Sequence, residues 1–365
     1  MGLNQTQQIR ICVIGEIMKR FFTSLVVALG IATPALADYT FVVPQKPGGG
    51  TTVWTEIVAK ELEPFLGEKI NIKTIPGARD IPGFNEFHNN LRFDDKTVMV
   101  SHGGNGVSFL QEEVDYDYRD YESVGLMNLN IIAGKQKGDT MDKPRFAAGS
   151  GMVPEAFAFT MLTCGPKTYL EEYINCFKEN VTWVKGMSSA ERRLAFKRGE
   201  LNGTRENPAA YKKHVESNND AEVWFHHGIL QADGTHADDP NYPGYQFETL
   251  YEQRWGIAPS GDMYDAYKLV KSFRDGMQKA LWVNAGNPNK QKLVDALTAM
   301  SQDPTAVANI QKKVGKYNWK IGAEGDAQRD TLMTFITLEA LGTLVEFNSA
   351  ALGLASVDKV ELAVK

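Results

Sequence analysis

The sequence predicts an α/β fold whose ligand site lies at one edge of a parallel sheet. Short apolar runs alternate with helical patterns from Asp38 onward, which is typical of α/β architecture. Three glycine-rich loops each follow a predicted strand, and open α/β sheets bind ligands at the carboxyl ends of their strands. Of the 365 residues, those after Ala37 are numerous enough to form two domains, each with its own core.

A leader precedes this fold. Two basic residues, an apolar core and an Ala-x-Ala cleavage motif follow one another between Met18 and Ala37. These are the three parts of a secretory signal peptide. Residues 1–17 do not fit the pattern, and we interpret them as an upstream start or an expression remnant. Because no cysteine lies at the cleavage site, we expect a mature chain that is free in a periplasm-like compartment.

The charge balance narrows the choice of partners. The net charge is −6, and loss of the leader removes Arg10, Lys19, Arg20 and Glu16, which makes it −8. Such an acidic protein is a poor partner for nucleic acid or for an anionic membrane. An anionic ligand would have to be held by local groups, namely backbone amides and one or two arginines. No run of 18 uncharged apolar residues follows the leader, so we expect no membrane span there.

Periodicity predicts the individual elements. Strands are expected at 39–43, 70–74, 98–101, 123–129, 131–134, 145–148, 181–184, 223–227 and 255–258. Helices are expected at 53–66, 154–163, 188–199, 262–283, 289–301, 304–314 and 326–347. Thr51 or Thr52 is suited to cap the first helix, and Ser188 opens a capping box with Glu191. Residues 231–245 are rich in Asp, Gly, Asn and Pro, which predicts a long surface excursion.

The first candidate site is the glycine-rich turn that opens the first helix. Unpaired backbone amides and the positive end of the helix dipole would converge there on a carboxylate. The candidate ligand-binding residues of this turn are Gly49, Gly50, Thr51 and Thr52. The simplest alternative is a tight turn that needs glycine only for its backbone angles. The spacing matches neither glycine motif for nucleotides, so nucleotide binding is disfavoured.

Two further loops follow strands that can lie parallel to the first. The loop 76–83 carries an arginine that can make a paired hydrogen bond with a carboxylate, or can pair with Asp80 instead. The loop after residue 100 offers polar side chains, and its glycines let a ligand approach the backbone. The candidate residues of these two loops are Ala78, Arg79, Ser101, His102 and Gly103.

Two loops beyond residue 140 are candidates for the opposite wall of a cleft. One precedes the helix 154–163, and the other follows the helix that begins after Ser188. Their candidate residues are Ser150, Gly151, Met152, Arg205 and Asn207. For Arg205 the simple alternative is a solvated surface position.

Cys164 and Cys176 are the two cysteines that remain after the leader. In an oxidising compartment such a pair, flanking a Gly-Pro turn and a short helix, predicts a disulfide worth ~3 kcal/mol. Two buried free thiols are the alternative.

We find no motif for a metal, a cofactor or catalysis. His226-His227 and the acidic run from Asp233 to Asp239 match no standard spacing of a zinc or calcium site. Neither G-x-S-x-G nor H-E-x-x-H occurs in the chain. We therefore expect no metal, no cofactor and no enzymatic activity.

The order of the motifs resembles that of the extracytoplasmic solute receptors of the tripartite tricarboxylate transporters, the Bug proteins. In the first half, the similar segments are Phe41–Thr51, Pro76-Gly77-Ala78, Asp95–Met99 and Tyr118–Val124. In the second half, they are Gly149-Ser150-Gly151, Trp183–Gly186 and Arg254–Pro259, although this last proline comes one residue early. Each motif is weak alone, and their shared order covers nearly the whole mature chain.

The resemblance implies a two-lobed, Venus-flytrap fold of the type II periplasmic-binding-protein class. A ligand carboxylate would be held by amides of the first and third loops. We place one lobe at 38–140 and 258–335 and the other at 141–257, with residues 336–365 bracing both. Thr52 stands where the family often has an acid, which together with Arg79 favours a more anionic ligand.

The partners expected from the resemblance are a small organic carboxylate and membrane transporter subunits. The ligand would be a dicarboxylate, a tricarboxylate or an aromatic acid, and the protein would be a periplasmic monomer. Two alternatives stay open on the sequence. One is a sensor that binds the same ligand but docks on a signalling partner. The other is an exported hydrolase that acts on an ester or amide with Ser150 or His102.

Overall fold

Helices and strands alternate through most of the chain, as the sequence predicts. The computed structural model describes residues 38–77, 80–110, 114–148, 153–217, 220–315 and 318–354, and the predicted signal peptide lies outside them. The strands are β1 (Tyr39–Val43), β2 (Ile70–Thr74), β3 (Thr97–His102), β4 (Tyr121–Asn128), β5 (Ile132–Gln136), β6 (Arg145–Ala148), β7 (Thr182–Lys185), β8 (Gly203–Glu206), β9 (Ala221–His226), β10 (Ile229–Leu230), β11 (His236–Ala237), β12 (Lys279–Asn284) and β13 (Asn318–Ile321).

The α-helices complete these elements. They are α1 (Gly50–Leu66), α2 (Ile81–Glu86), α3 (Pro154–Cys164), α4 (Leu170–Asn180), α5 (Ser189–Lys197), α6 (Pro208–Tyr211), α7 (Phe247–Trp255), α8 (Asp262–Gly276), α9 (Lys290–Gln302), α10 (Pro304–Val314), α11 (Ala323–Met333) and α12 (Leu338–Ala350). Among the described residues, none of these helices has the length and apolar character that crossing a bilayer requires.

The main sheet brings the first three predicted loops to one edge. Its six strands lie in the order β13-β4-β12-β3-β1-β2. Strand β1 pairs in parallel with β2 and with β3, so the carboxyl ends of these three strands share an edge. Strand β12 runs antiparallel to both β3 and β4, and β13 runs antiparallel to β4. This arrangement confirms the expectation that the loops after β1, β2 and β3 open on the same side.

A second group of strands forms after β4. Strands β8, β5 and β9 make an antiparallel sheet, and β6 pairs in parallel with β7. The chain passes from β4 to β5 through 129–131 and comes back to the main sheet through 227–278. The two connections are joined by backbone hydrogen bonds from Leu129 to the Asp275 carbonyl and from His227 to the Ile131 carbonyl. We call these joined segments the crossover; the predicted two-lobed α/β fold is confirmed.

Helix α1 shows why this sequence folds against the sheet. Trp54, Val58 and Leu62 recur at helical spacing and are buried with the apolar side chains of β1 and β3. Gly67 ends the helix in the left-handed conformation, and its amide donates to the Glu63 carbonyl. The start of α1 is thereby fixed at the sheet edge where the first loop lies.

Several element predictions are wrong, and short apolar runs explain most of them. Residues 255–258 are not a strand, because α7 ends at Trp255 and Gly256 takes a left-handed conformation. The predicted helix 262–283 breaks after Gly276, and its apolar end becomes β12. The predicted helix 326–347 is two helices, α11 and α12. Strand β13 was not predicted, and β8 lies where a loop was expected; periodicity alone cannot distinguish such short segments.

The predicted disulfide is confirmed. Cys164 at the end of α3 is bonded to Cys176 in α4, with their Cα atoms 6.1 Å apart. The capping box of α5 is confirmed as well, because Ser188 accepts from the Glu191 amide and Glu191 accepts from the Ser188 amide. The surface excursion predicted for 231–245 includes a buried residue, Asp239.

Candidate functional site

The first loop directs the amino end of α1 toward the sheet edge. Gly49 is the N-cap residue and no side chain caps the helix, so the prediction that Thr51 or Thr52 does so is wrong. The Thr51 amide donates to Oε1 of Gln45 at 3.1 Å. Within the described residues, the amides of Gly50 and Thr52 have no hydrogen-bond acceptor. These donors and the helix dipole together favour an anion at this point.

His102, at the end of β3, connects all three loops. Its Nδ1 accepts from the Gly104 amide at 2.9 Å, so in the neutral ring the proton is on Nε2. Nε2 lies 2.6 Å from Oδ2 of Asp80 and 2.7 Å from Nε2 of Gln45. Burial lowers the pKa of His102, and the hydrogen bond with Asp80 opposes this shift. The first, second and third loops therefore meet at one imidazole ring.

Lys279 supplies a buried cation beside this ring. It opens β12 and lies opposite His102 in the antiparallel register. Its Nζ donates to the Thr51 hydroxyl at 2.9 Å, in the first turn of α1, and the residue is 9% exposed. Burial lowers the pKa of Lys279 to about 7, and the carboxylate of Asp80 opposes this shift. The only hydrogen bond of this buried ammonium group among the described residues is to a neutral hydroxyl, so an anion besides Asp80 would further stabilise its charged form.

An open pocket lies in front of the first and second loops. It has a volume of about 550 Å³. The residues that line it are Pro44, Gln45, Lys46, Gly49, Pro76, Gly77 and Asp80. Its size is ordinary for a small-molecule site. We call this pocket the loop pocket.

Two other candidates from the third loop have structural partners. Ser101 is fully buried, and its hydroxyl accepts from Nε1 of Trp282 at 2.8 Å. The amide of Gly103 donates to the Gln278 carbonyl at 3.2 Å. A side chain at position 103 would place its Cβ 1.9 Å from the Arg274 carbonyl oxygen, so glycine is required for close packing against α8.

Two candidates of the second half, Arg205 and Asn207, lie in or directly after strand β8 of the other sheet. Arg205, in β8, is 9% exposed rather than solvated, and its Nη1 lies 3.5 Å from Oε1 of the buried Glu155. Asn207 is the N-cap of α6, and its Oδ1 accepts from the Ala210 amide at 2.8 Å. Five predicted site residues lie outside the described residues, namely Ala78, Arg79, Ser150, Gly151 and Met152.

The structure also shows the surroundings of the histidine and aspartate residues that were considered as metal ligands. His226 lies 2.9 Å from Oδ1 of Asp238, and Nδ1 of His227 lies 2.8 Å from Oδ2 of Asp275. His236 is 3.4 Å from the Ser272 hydroxyl. In the part of the chain that the structure describes, no three His, Cys, Asp or Glu side chains come together as metal ligands would.

Sequence reasoning missed Gln45, Asp80 and Lys279 as site residues. Gln45 lies inside the first glycine turn, and Asp80 was considered only as a partner of Arg79. Lys279 was not identified because residues 262–283 were expected to form one helix. The available signal was a lone lysine directly before the apolar run Ala280–Val283, which is typical of a buried strand.

Comparison with known proteins shows the fold. Neither a scan against protein-family models nor a search of curated proteins finds a match. Among solved structures, the periplasmic binding protein BugD is 17% identical, covers 86% of this chain and 97% of its own, and has a TM-score of 0.53. A TctC solute binding protein from Polaromonas is 13% identical, covers 82% and 96%, and has a TM-score of 0.55.

A third structure extends the comparison. An R. palustris protein described with adipate is 16% identical, covers 87% of this chain and 98% of its own, and has a TM-score of 0.50. The chain thus spans nearly the full length of all three structures. The resemblance to the tripartite tricarboxylate receptors predicted from the sequence is confirmed at the level of the fold.

Proposed function

We propose that this chain is a periplasmic solute-binding protein, not an enzyme, that captures a small organic carboxylate and delivers it to a tripartite tricarboxylate-type membrane transporter. The fold supports this proposal, because BugD is a periplasmic binding protein and the Polaromonas protein is a solute binding protein. The R. palustris protein described with adipate supports a carboxylate as ligand. The disulfide between Cys164 and Cys176 is of the kind that persists in oxidising compartments.

The observation that carries the proposal is the buried ammonium group of Lys279 beside the open amino end of α1. Gly49, the N-cap of α1, lines the loop pocket, so a carboxylate there would accept hydrogen bonds from amides at the open end of this helix. The charge of Lys279, which donates to Thr51 in the same turn, would add to the attraction. Charge-assisted hydrogen bonds of this kind are about twice as strong as neutral ones. The proton on His102 is already directed to Asp80, so this ring positions the loops and does not itself supply a charge.

In this proposal the two lobes close on the ligand by hinge motion at the crossover. The lobes would be those predicted from the sequence, 38–140 with 258–335 and 141–257, except that β5 pairs with β8 and β9 and so moves the first boundary back to the crossover at 129–131. Residues 336–365 would brace both lobes. The loops that carry Ser150 and Asn207 would supply the opposite wall. Arg79, if it reaches the loop pocket, would add a second positive charge and would favour dicarboxylates or tricarboxylates over monocarboxylates.

Binding of a set of acids would test this function. Adipate, succinate, citrate and benzoate would be titrated into ligand-free protein by calorimetry, with n-hexanol as a neutral control. We expect at least one acid to bind and the Lys279→Met variant to bind it at least about tenfold more weakly, as for a lost charged hydrogen bond. Lys320→Met, at a partly exposed position of β13, is the matched control and should keep the affinity. Equal affinity of wild type and Lys279→Met would contradict the proposed site.

A further inference from the structure

The loop pocket carries groups of both charges. The first loop contributes the open amino end of α1 at Gly49 and the exposed side chain of Lys46, which both attract a negative charge. The second loop contributes Asp80, whose carboxylate attracts a positive charge. Among the described residues, His102 is the ion-pair partner of this carboxylate, and no lysine or arginine lies close enough to pair with it. An anion that enters the pocket therefore meets a negative charge that has no cation in contact with it.

Asp80 is held in place through one of its two carboxylate oxygens. Its Oδ2 accepts from Nε2 of His102 at 2.6 Å and from Nδ2 of Asn105 at 3.4 Å. Its Oδ1 has no hydrogen-bond partner among the described residues and is not shielded from solvent, and the side chain as a whole is 14% exposed. Because Asp80 lines the loop pocket, this second oxygen is available to a ligand there. The protein thus orients one oxygen and leaves the other free to accept a hydrogen bond.

The local structure does not require a negative charge at this position. Asp80 has a φ of 64°, a left-handed conformation that asparagine adopts as readily as aspartate does. It precedes helix α2, but its side chain does not cap that helix. An asparagine could also accept from His102 through its amide oxygen. Neither the backbone, nor the helix, nor the contact with His102 therefore explains why an acid lies in a pocket that attracts anions.

We propose that the ligand of the loop pocket carries an ammonium group as well as a carboxylate, and that Asp80 selects it. This inference rests on the carboxylate site proposed above. The ligand carboxylate would accept from the amides at the start of α1, and its ammonium group would donate to Oδ1 of Asp80. Both contacts would be charge-assisted hydrogen bonds. A ligand without the ammonium group would place its carboxylate near a like charge, which lowers its affinity and so provides the selection.

Pairs of acids that differ only in an amino group test this selection. Adipate and 2-aminoadipate, and succinate and aspartate, would be titrated into ligand-free protein at pH 6 by calorimetry. We expect the amino acid of at least one pair to bind at least about tenfold more tightly than its parent acid. If the parent acids bind as tightly as their amino counterparts or more tightly, this inference is refuted and the carboxylate site stands. Absence of binding by all four compounds would overturn both proposals.

A variant then tests the role of Asp80. Asp80→Asn keeps the size of the side chain and can present an N–H donor in place of Oδ1. It should bind the amino acid at least about tenfold more weakly, and the parent acid as tightly as wild type does or more tightly. Asp295→Asn, at an exposed position of α9, is the matched control and should change neither affinity.

The opposite responses separate selection from a structural role. A purely structural role of Asp80 would weaken both ligands equally, so an equal loss, or no loss, in the folded variant would contradict the assignment. If circular dichroism shows that Asp80→Asn does not fold, Asp80→Gly provides the same test, because glycine suits the left-handed backbone and also lacks the charge.

Discussion

Replacing Lys279 by Met should stabilise the ligand-free protein, although the lysine is proposed to bind ligand. Burial lowers the pKa of this ammonium group from 10.5 to about 7, which corresponds to a penalty of roughly 5 kcal/mol on its charged form. Loss of the hydrogen bond to Thr51 offsets roughly 1 kcal/mol of the gain. We therefore expect the variant to have a free energy of unfolding roughly 4 kcal/mol above wild type at pH 6.

The pH dependence of this difference identifies its cause. The folded-state pKa of Lys279 is lower than that of the unfolded chain, so between about pH 7 and 10.5 the unfolded state binds more protons. The stability of wild type must then rise with pH in this window, relative to a variant that cannot titrate at this position. The difference in free energy of unfolding between Lys279→Met and wild type should be greatest below pH 7 and should decrease steadily toward pH 9.5.

Urea unfolding at pH 6, 7.5 and 9.5 measures this difference. The protein must first be unfolded and refolded in buffers without carboxylates, because a retained ligand would stabilise wild type alone. Lys320→Met serves as the reference for removing a partly exposed lysine from the same sheet. An advantage of Lys279→Met that stays constant over this pH range would refute the reasoning, and so would a variant less stable than wild type at pH 6.

Two further predictions concern the backbone and the disulfide. Gly103→Ala should lower the free energy of unfolding by about 3 kcal/mol or more in urea unfolding, since its Cβ would meet a carbonyl oxygen of α8 at 1.9 Å. Gly50→Ala should change it by less than about 0.5 kcal/mol, because no atom lies within 4 Å of the added Cβ; similar losses in both variants would contradict the packing argument. Replacing Cys164 and Cys176 by Ser should cost about 3 kcal/mol, and a reductant should lower the melting temperature of wild type but not of this variant.

The sheet edge could be predicted from the sequence because its signals are local. An apolar strand, a glycine turn and a helical repeat each leave a clear pattern, and they correctly placed the loops after β1 and β3 together. His102 was identified for the same reason, since it follows directly after a buried strand. The sequence could not show that its ring would bond Asp80, because that contact depends on the parallel pairing of β1 with both β2 and β3.

Local sequence patterns could not identify residues whose contacts join segments that are distant in sequence. Lys279 reaches Thr51 from a position 228 residues away in sequence. Its segment begins an antiparallel strand only because β3 and β4 are there to pair with it, and the same apolar run is compatible with a helix. Arg205 was expected in a loop, whereas pairing of β8 with β5 places it in the interior beside Glu155. In both cases, pairing with strands that are distant in sequence determines where the residue lies.

The glycine at position 103 sets the contact between the third loop and helix α8. Its backbone abuts the Arg274 carbonyl with no space for a side chain, and its amide is bonded to the Gln278 carbonyl. The third loop and the carboxyl end of α8 are therefore packed closely against each other. His102 and Lys279 are also paired in the register of β3 and β12, so the proposed carboxylate site would keep their spacing with or without a ligand.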